Sequence, residues 1–390
     1  MPNTFLRKIS KKIFGKSSNS SEEYKDHLYA VFLAGGGGTR LWPKSKNATP
    51  KQFLKLFNNQ TLTQITAHRF NKILDWERIF VVTVSEEYKK EIHKEVPELL
   101  PENIIVEPER RETGPAHGLG AAYVYAKDSD AVIITEAADR LVKPVPRYLK
   151  ILKTAAEVAY KEKIMIALGV EPRYPHSGLG HIKKGQYKET VEGVKFYKLD
   201  KFVEKPSLEL AKEYTASGDY FWNAGEFVWR ADVLLESLKK NAPDVSKQLE
   251  KIRQAIGTTD EKEVLQKSYK LMPKIAIDYA VVEKDRNFLM VVGDFFWTDI
   301  GDWKEVWENL VKDHQGNVVI DGDEEGGEII NIDTSDALIH KDGRMIAVVD
   351  VDNIVIVDTK EALLVCSKSH AQGVKKIVEL LKEQGRTDLL

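Results

Sequence analysis

The stretch Leu28-Tyr29-Ala30-Val31-Phe32-Leu33-Ala34-Gly35-Gly36-Gly37-Gly38-Thr39-Arg40-Leu41-Trp42-Pro43 sets the architecture of this chain. An apolar run over 28–33, stopped by glycines, predicts a buried strand that feeds directly into a loop. Four consecutive glycines let the backbone approach a polyanion closely, and their N–H groups can form an anion-binding nest. Pro50-Lys51-Gln52-Phe53 follows, so Arg40 and Lys51 both stand near the loop. A phosphate site is the functional reading; a plain strand-to-helix turn is the alternative, and the two cations weigh against it. The loop is not a Walker motif, because Arg40 stands where Lys-Ser/Thr should follow a second glycine. It is not a dinucleotide fingerprint either: counting from Gly35, the third glycine position is Arg40.

Outward from this loop the chain reads as strands alternating with helices. Ile79–Val84, Ile104–Val106, Ala131–Thr135 and Ile164–Val170 are predicted strands, with helices at Glu86–Val96, Pro115–Lys127 and Pro146–Lys161. Thr61 and Gln64 form a capping box for a further helix whose apolar face is Leu62, Ile65, Phe70, Ile73 and Leu74. Such alternation implies an α/β fold: a Rossmann-like mixed, mostly parallel sheet flanked by helices. From about residue 194, β-rich pieces mix with helices at Leu208–Ser217, Ala231–Asn241 and Asp244–Ala255. Beyond Asp313 six short strand-like runs follow one another, closed by a helix from Ala371 to Glu383, and predict a small β-rich, β-helix-like module with no fixed-period repeat. The expected organisation is a basic leader over 1–27, a catalytic domain over 28–312 and the β-rich module over 313–390.

Composition narrows the function classes. With 390 residues, 42% hydrophobic and 30% charged, the chain can bury a sizeable core. Lys+Arg number 58 against 60 Asp+Glu, a net charge of −2 that excludes nucleic-acid binding by bulk positive charge. The single cysteine, Cys366, cannot form an internal disulfide, so a cytoplasmic enzyme is expected. No apolar run is long enough to span a membrane. Residues 1–16 carry five cations and no acid; they read as a solvated leader, with a membrane-surface or partner-docking helix as the alternative. Nine histidines show no paired spacing within a helix, so no zinc site is expected.

The glycine loop and Pro50-Lys51-Gln52-Phe53 resemble the nucleotide-binding signature of the sugar-phosphate nucleotidylyltransferases, and specifically of mannose-1-phosphate guanylyltransferases. The likeness continues through Glu107-Pro108, Arg111-Glu112-Thr113-Gly114-Pro115-Ala116, Ala138-Asp139, Phe202-Val203-Glu204-Lys205-Pro206, Trp222-Asn223-Ala224-Gly225, Ile277-Asp278-Tyr279-Ala280 and Trp297-Thr298-Asp299-Ile300-Gly301-Asp302-Trp303. Seven motifs in the family's order cover residues 28–312. About 78 residues remain, too few for the isomerase domain that follows in bifunctional members.

The resemblance implies attack by the phosphate of mannose 1-phosphate on the α-phosphorus of GTP, giving GDP-mannose and pyrophosphate. It places Ala34, Gly35, Gly36, Gly37, Gly38, Thr39, Arg40, Lys51, Glu107, Arg111, Thr113 and Gly114 on the nucleotide. Gly180, Glu204, Lys205, Asn223 and Asp278 fall on the sugar phosphate, and Arg40, Lys51 and Lys205 become the catalytic cations. Asp139 and Asp299, hard oxygen ligands, would hold Mg²⁺, whereas Asp302 suits a helix N-cap. GTP and mannose 1-phosphate are the expected partners, with a homodimer through the C-terminal module as a further expectation. Departures from the family pattern are Arg140 for His, Thr135-Glu136-Ala137 for a Leu-Pro ending, Glu112 for Asn, Ala224 for Ser, and Leu179 and His181 around Gly180. They bear on base and sugar selectivity, so another nucleotide or hexose 1-phosphate, or a silent sugar-nucleotide-binding regulator, is the alternative.

Overall fold

Strand β1 (Leu28–Ala34) lies in the interior of a nine-stranded sheet. The structure is a computed structural model and describes residues 22–36, 38–47, 49–322 and 327–390. Most of the expected leader, over 1–21, and Gly37 lie outside the described residues. The other strands are β2 (Ile79–Thr83), β3 (Ile104–Val106), β4 (Val132–Ala137), β5 (Met165–Val170), β6 (His181–Val191), β7 (Val194–Val203), β8 (Tyr220–Arg230) and β9 (Phe288–Gly293). Their order is β3-β2-β1-β4-β8-β5-β9-β7-β6. The first four are mutually parallel, β5 and β9 pair in parallel, and β8 runs antiparallel to both β4 and β5.

Both faces of β1 are covered, which explains its unbroken apolar run. Ala30 and Phe32 join Phe70 of α1 (Leu62–Asn71), Ile92 of α2 (Glu86–Glu95) and Ile151 of α4 (Val145–Glu162) on one side. Tyr29 and Val31 point the other way, toward Leu119 of α3 (Thr113–Lys127), Leu234 of α6 (Ala231–Asn241) and Leu249 of α7 (Pro243–Ala255). The helix at Leu208–Ser217 is α5. The predicted capping box is present with both arms: Gln64 N donates to Thr61 Oγ1 at 3.1 Å and Thr61 N to Gln64 Oε1 at 2.9 Å. Helix α1 stops at Asn71, so Ile73 and Leu74 pack just beyond it. Helix α8 (Glu261–Tyr269) was not anticipated.

In the C-terminal part, Val318–Asp321, Leu338–Lys341 and Ile354–Asp358 stack in parallel, and Ile329–Ile332 pairs in parallel with Ile346–Val349. The pairing offset is seventeen residues for Ile329 with Ile346 and Leu338 with Val355 but twenty for Val318 with Leu338, so successive turns of this β-helix-like coil keep no fixed period. The coil docks on the loop after β1: Leu41, Trp42 and Trp303 of α9 (Trp303–Asn309) share a core with Val318, Val355 and Val374 of α10 (Val374–Glu383). Trp42 Nε1 donates to the Leu389 carbonyl at 2.9 Å, and Trp303 Nε1 to the Trp42 carbonyl at 3.0 Å. Among the described residues no helix is long and apolar enough to cross a membrane.

Candidate active site

β1 has β2 on one side and β4 on the other, so the chain's order reverses at β1, and the crevice beyond the carboxyl ends of β1 and β4 is where an open α/β sheet takes its ligand. The glycine loop leaves the end of β1, and Asp139 and Arg140 follow the end of β4. Ala34 is buried, its carbonyl accepting from Thr83 Oγ1 at 2.9 Å. Gly36 faces open space, with no atom within 4 Å of the position a Cβ would take. Gly38 has φ +61°, and a Cβ there would stand 2.5 Å from Lys51 Cβ. Only glycine therefore lets the loop turn left-handed and lie against Lys51. Thr39, Arg40 and Leu41 form a short 3₁₀ turn.

Lys51 joins the Asp139 carboxylate to the backbone of Asp299. Its Nζ lies 2.6 Å from Asp139 Oδ2 and donates to the Asp299 carbonyl at 2.9 Å. A Cβ on Gly301 would be 3.4 Å from Arg40 Nη1 and 3.5 Å from Asp299 Oδ1, so Arg40 also reaches this corner. Burial opposes ionisation of Asp139, but Arg140 and Lys51 together outweigh it and hold the carboxyl below its usual range. Asp302 caps α9, accepting from Glu305 N at 3.1 Å, as expected.

Behind these groups stands a buried polar network that sequence reasoning missed. Arg69 of α1 pairs with Glu136, which also accepts from Tyr148 Oη at 2.6 Å. Glu226 of β8 accepts from Trp297 Nε1 at 2.9 Å. Burial, and then Glu136 nearby, push the Glu226 carboxyl up to about 8. Arg140 Nε is 4.0 Å from Glu226 Oε1. The one local sign of this network is an acid inside each of two otherwise buried strands, Glu136 after Ile133-Ile134-Thr135 and Glu226 before Phe227-Val228-Trp229.

A cavity of about 280 Å³ opens beside this corner and is lined by Gly180, Glu204, Lys205, Asn223 and Asp278 together with Asp139, Arg140 and Asp299. All five predicted sugar-phosphate residues thus converge. Asn223 Nδ2 donates to Asp278 Oδ1 at 3.1 Å, and Lys205 Nζ lies 2.6 Å from Glu204 Oε1. Burial and the neighbouring Glu204 push the Asp278 carboxyl up to about 7. Lys205 is 62% exposed, at the mouth of the cavity. Its φ is 45°. Strained backbone of this kind gathers at ligand sites.

A second cavity, about 350 Å³, is lined by Ser85, Val106, Glu107 and Pro108 at the ends of β2 and β3. Tyr269 Oη donates to Glu107 Oε2 at 2.5 Å, and burial pushes this carboxyl up to about 7. Three residues expected on the nucleotide also hold neighbouring backbone. Arg111 commits its guanidinium to the carbonyls of Met272 and Lys270, at 3.1 and 2.6 Å, and to Glu109. Thr113 Oγ1 accepts from Ile277 N at 2.9 Å, and a Cβ on Gly114 would stand 2.6 Å from the Ile275 carbonyl. Together they hold the 270–278 segment, and with it Asp278, in place, although Thr113 still lines the sugar-side cavity. A further depression, about 550 Å³ around Tyr125, Asp232 and Asn287, contains none of these residues.

The carboxylates can accommodate a divalent cation. Asp139 Oδ1 is buried without a hydrogen-bond partner, and Asp299 is 28% exposed. Among the described residues no group of three or more His, Cys, Asp or Glu is gathered for a metal, and Asp139 and Asp299 are the pair that could hold a cation whose shell is completed by water or phosphate.

Residues 29–316 match the nucleotidyl transferase family model, and residues 327–381 match the MannoseP isomerase/GMP-like β-helix domain. The chain is 34% identical over 364 residues to a mannose-1-phosphate guanylyltransferase of Escherichia coli K12, covering 92% of this chain and 74% of that protein. It is 34% identical over 367 residues to one of Klebsiella pneumoniae, covering 93% and 75%. The crystal structure of a mannose-1-phosphate geranyltransferase from Thermus thermophilus superposes with a TM-score of 0.79 at 31% identity, covering 91% of this chain and 99% of that one.

Proposed function

The chain belongs to the nucleotidyl transferase family, among its mannose-1-phosphate guanylyltransferases, and we propose that the cleft between the glycine loop and the sugar-side cavity transfers GMP from GTP to mannose 1-phosphate. One oxygen of the sugar phosphate forms a bond to the α-phosphorus as the bond to the α–β bridging oxygen breaks, and pyrophosphate departs with that oxygen. The nucleophile is a phosphate monoester with a second pKa near ~6, ionised at pH 7, so no general base is needed. Catalysis is then positioning and charge neutralisation.

The observation that carries this reading is the convergence of Lys51, Asp139 and Asp299 between loop and cavity. The open side of Gly36 and the nearby Arg40 suit a triphosphate. Glu204, Asn223 and Asp278 suit sugar hydroxyls, and Lys205 at the mouth suits the sugar phosphate. Asp139 and Asp299 would hold Mg²⁺, which when bound supplies positive charge between the two reacting phosphates. The Glu107 cavity suits the base: a carboxylate can accept from both N1–H and N2–H of guanine, whereas uracil or thymine offers one ring N–H. The near-neutral chain thus concentrates its functional charge locally.

We read residues 28–312 as the catalytic domain and 313–390 as the accessory module, in keeping with the matches over 29–316 and 327–381. Exposed apolar side chains on the coil, among them Val319, Ile332, Val349, Leu363 and Val365, support a second copy of this chain as its partner. Sedimentation as a monomer at micromolar concentration would overturn that assignment.

The test of the activity is pyrophosphate release from a panel of nucleotides crossed with hexose 1-phosphates. GTP with mannose 1-phosphate should give the highest kcat/KM. Equal turnover of UTP or dTTP would exclude the guanylyl assignment.

A further inference from the structure

The guanidinium of Arg140 lies between the two carboxylates assigned to the metal. Its Nη1 is 3.0 Å from Asp139 Oδ1 and 3.8 Å from Asp299 Oδ2. The Trp297 ring centroid is 5.1 Å from the guanidinium carbon, and Glu226 approaches Nε at 4.0 Å. A Cβ on Gly225 would stand only 3.3 Å from Nη2, so the missing side chain there gives the guanidinium its room. Within this close packing, Arg140 Nε and Asp139 Oδ1 are both buried without a hydrogen-bond partner. The 3.0 Å approach is an ion pair, and it leaves hydrogen-bonding capacity unused on both sides. Buried polar atoms are seldom left so unless a ligand completes them. An arginine fork matches phosphate oxygens, and a free carboxylate oxygen matches a hard cation.

We propose that Arg140 is a built-in cation of this site, competing with divalent metal for Asp139 and Asp299 until nucleotide phosphate gives the guanidinium a better partner. The proposal rests on the two carboxylates being the metal site. Lys51 pairs with Asp139, and Arg140 lies between Asp139 and Asp299, so a metal ion arriving alone must compete with resident cations for these carboxylates. Phosphate oxygens on Arg140 would loosen its hold on the carboxylates. Metal and nucleotide then favour each other's binding, and by linkage the effect is mutual. Arg140 thereby touches the reacting phosphates as a third cation beside Arg40 and Lys51.

The test uses the full chain and two binding measurements of opposite expected sign. Mn²⁺ alone, followed by electron paramagnetic resonance, should bind Arg140→Ala about tenfold or more tighter than wild type. GTP in EDTA, followed by tryptophan fluorescence, should bind that variant about tenfold or more weaker, with Arg140→Lys intermediate in both. A merely structural arginine would weaken both or neither. Mn²⁺ affinity that is unchanged or lower in Arg140→Ala, while Asp299→Asn abolishes it, overturns the proposal and leaves the metal site standing. Mn²⁺ binding that survives both Asp139→Asn and Asp299→Asn overturns the metal site and the proposal with it. If Arg140→Ala does not fold, Arg140→Gln, which keeps most of the side chain's length, carries the same expectations.

Discussion

Lys51 Nζ stands 2.6 Å from Asp139 Oδ2, joining the segment after the glycine loop to the end of β4. Its second bond, to the Asp299 carbonyl, brings in the turn before α9. One ammonium group therefore sets the spacing of three segments that are far apart in sequence, and it does so where two polyanions would meet.

Lys51→Met should lower kcat for pyrophosphate release by at least about 10²-fold, as loss of a group aimed at transition-state charge does. Asp299→Asn should act similarly. For Asp299→Asn the thermal midpoint should move by no more than a few degrees, because Asp299 is partly exposed, whereas Lys51→Met, which takes the ammonium from the Asp139 carboxylate, should lower it further. Steady-state kinetics beside thermal unfolding check this pair of outcomes.

Gly38→Ala should cost stability and activity together. The φ of +61° disfavours any side chain, and the 2.5 Å approach to Lys51 Cβ leaves no room for one. A loss of about 1–3 kcal/mol, read from urea unfolding, is expected, with a raised KM for GTP because Lys51 is pushed from its place.

Trp42→Phe removes the indole N–H that reaches the Leu389 carbonyl. One hydrogen bond is worth about 1 kcal/mol, so the thermal midpoint should fall by about 1 °C. Since Trp42 closes the turn that carries Arg40, KM for GTP should rise with little change in KM for mannose 1-phosphate. Equal KM values in the two proteins would show that the C-terminal module does not steady the loop.

Glu107 gives a pH signature. Burial raises its folded carboxyl from the ordinary 4.5 to about 7. The protonated form is thus favoured by folding, and that contribution is present below pH 4.5 and lost as pH rises through 7. Glu107→Gln mimics the protonated form. Its stability relative to wild type should therefore climb between those pH values and level off at about 3 kcal/mol. Chemical denaturation across pH 4–8 measures the difference; a flat difference would contradict the raised carboxyl.

Much of the fold was legible because it rests on local rules. The apolar run of β1, the Thr61–Gln64 capping box and the Asp302 N-cap each need only a few neighbouring residues to specify them. Helix α8 escaped because Glu261–Tyr269 carries few apolar residues and presents only a thin stripe to the body. The coil's register was not legible because its strands are short and their offsets differ, twenty residues from Val318 to Leu338 and seventeen from Leu338 to Val355. At the site, the motif residues around the sugar-side cavity could be named from the sequence, but the contacts by which Arg111 and Gly114 hold the 270–278 segment could not. Holding that segment depends on a partner about 160 residues away, as does the Arg69–Glu136–Glu226–Arg140 network on contacts among α1, β4 and β8. No periodicity encodes such long-range pairs.

The most direct test of the central claim is to supply the purified chain with Mg²⁺, GTP and mannose 1-phosphate labelled with ¹⁸O in its phosphate, and to follow the products by ³¹P NMR. The account predicts GDP-mannose carrying all of the label and pyrophosphate carrying none. Labelled pyrophosphate, or no product from this pair of substrates, would contradict it.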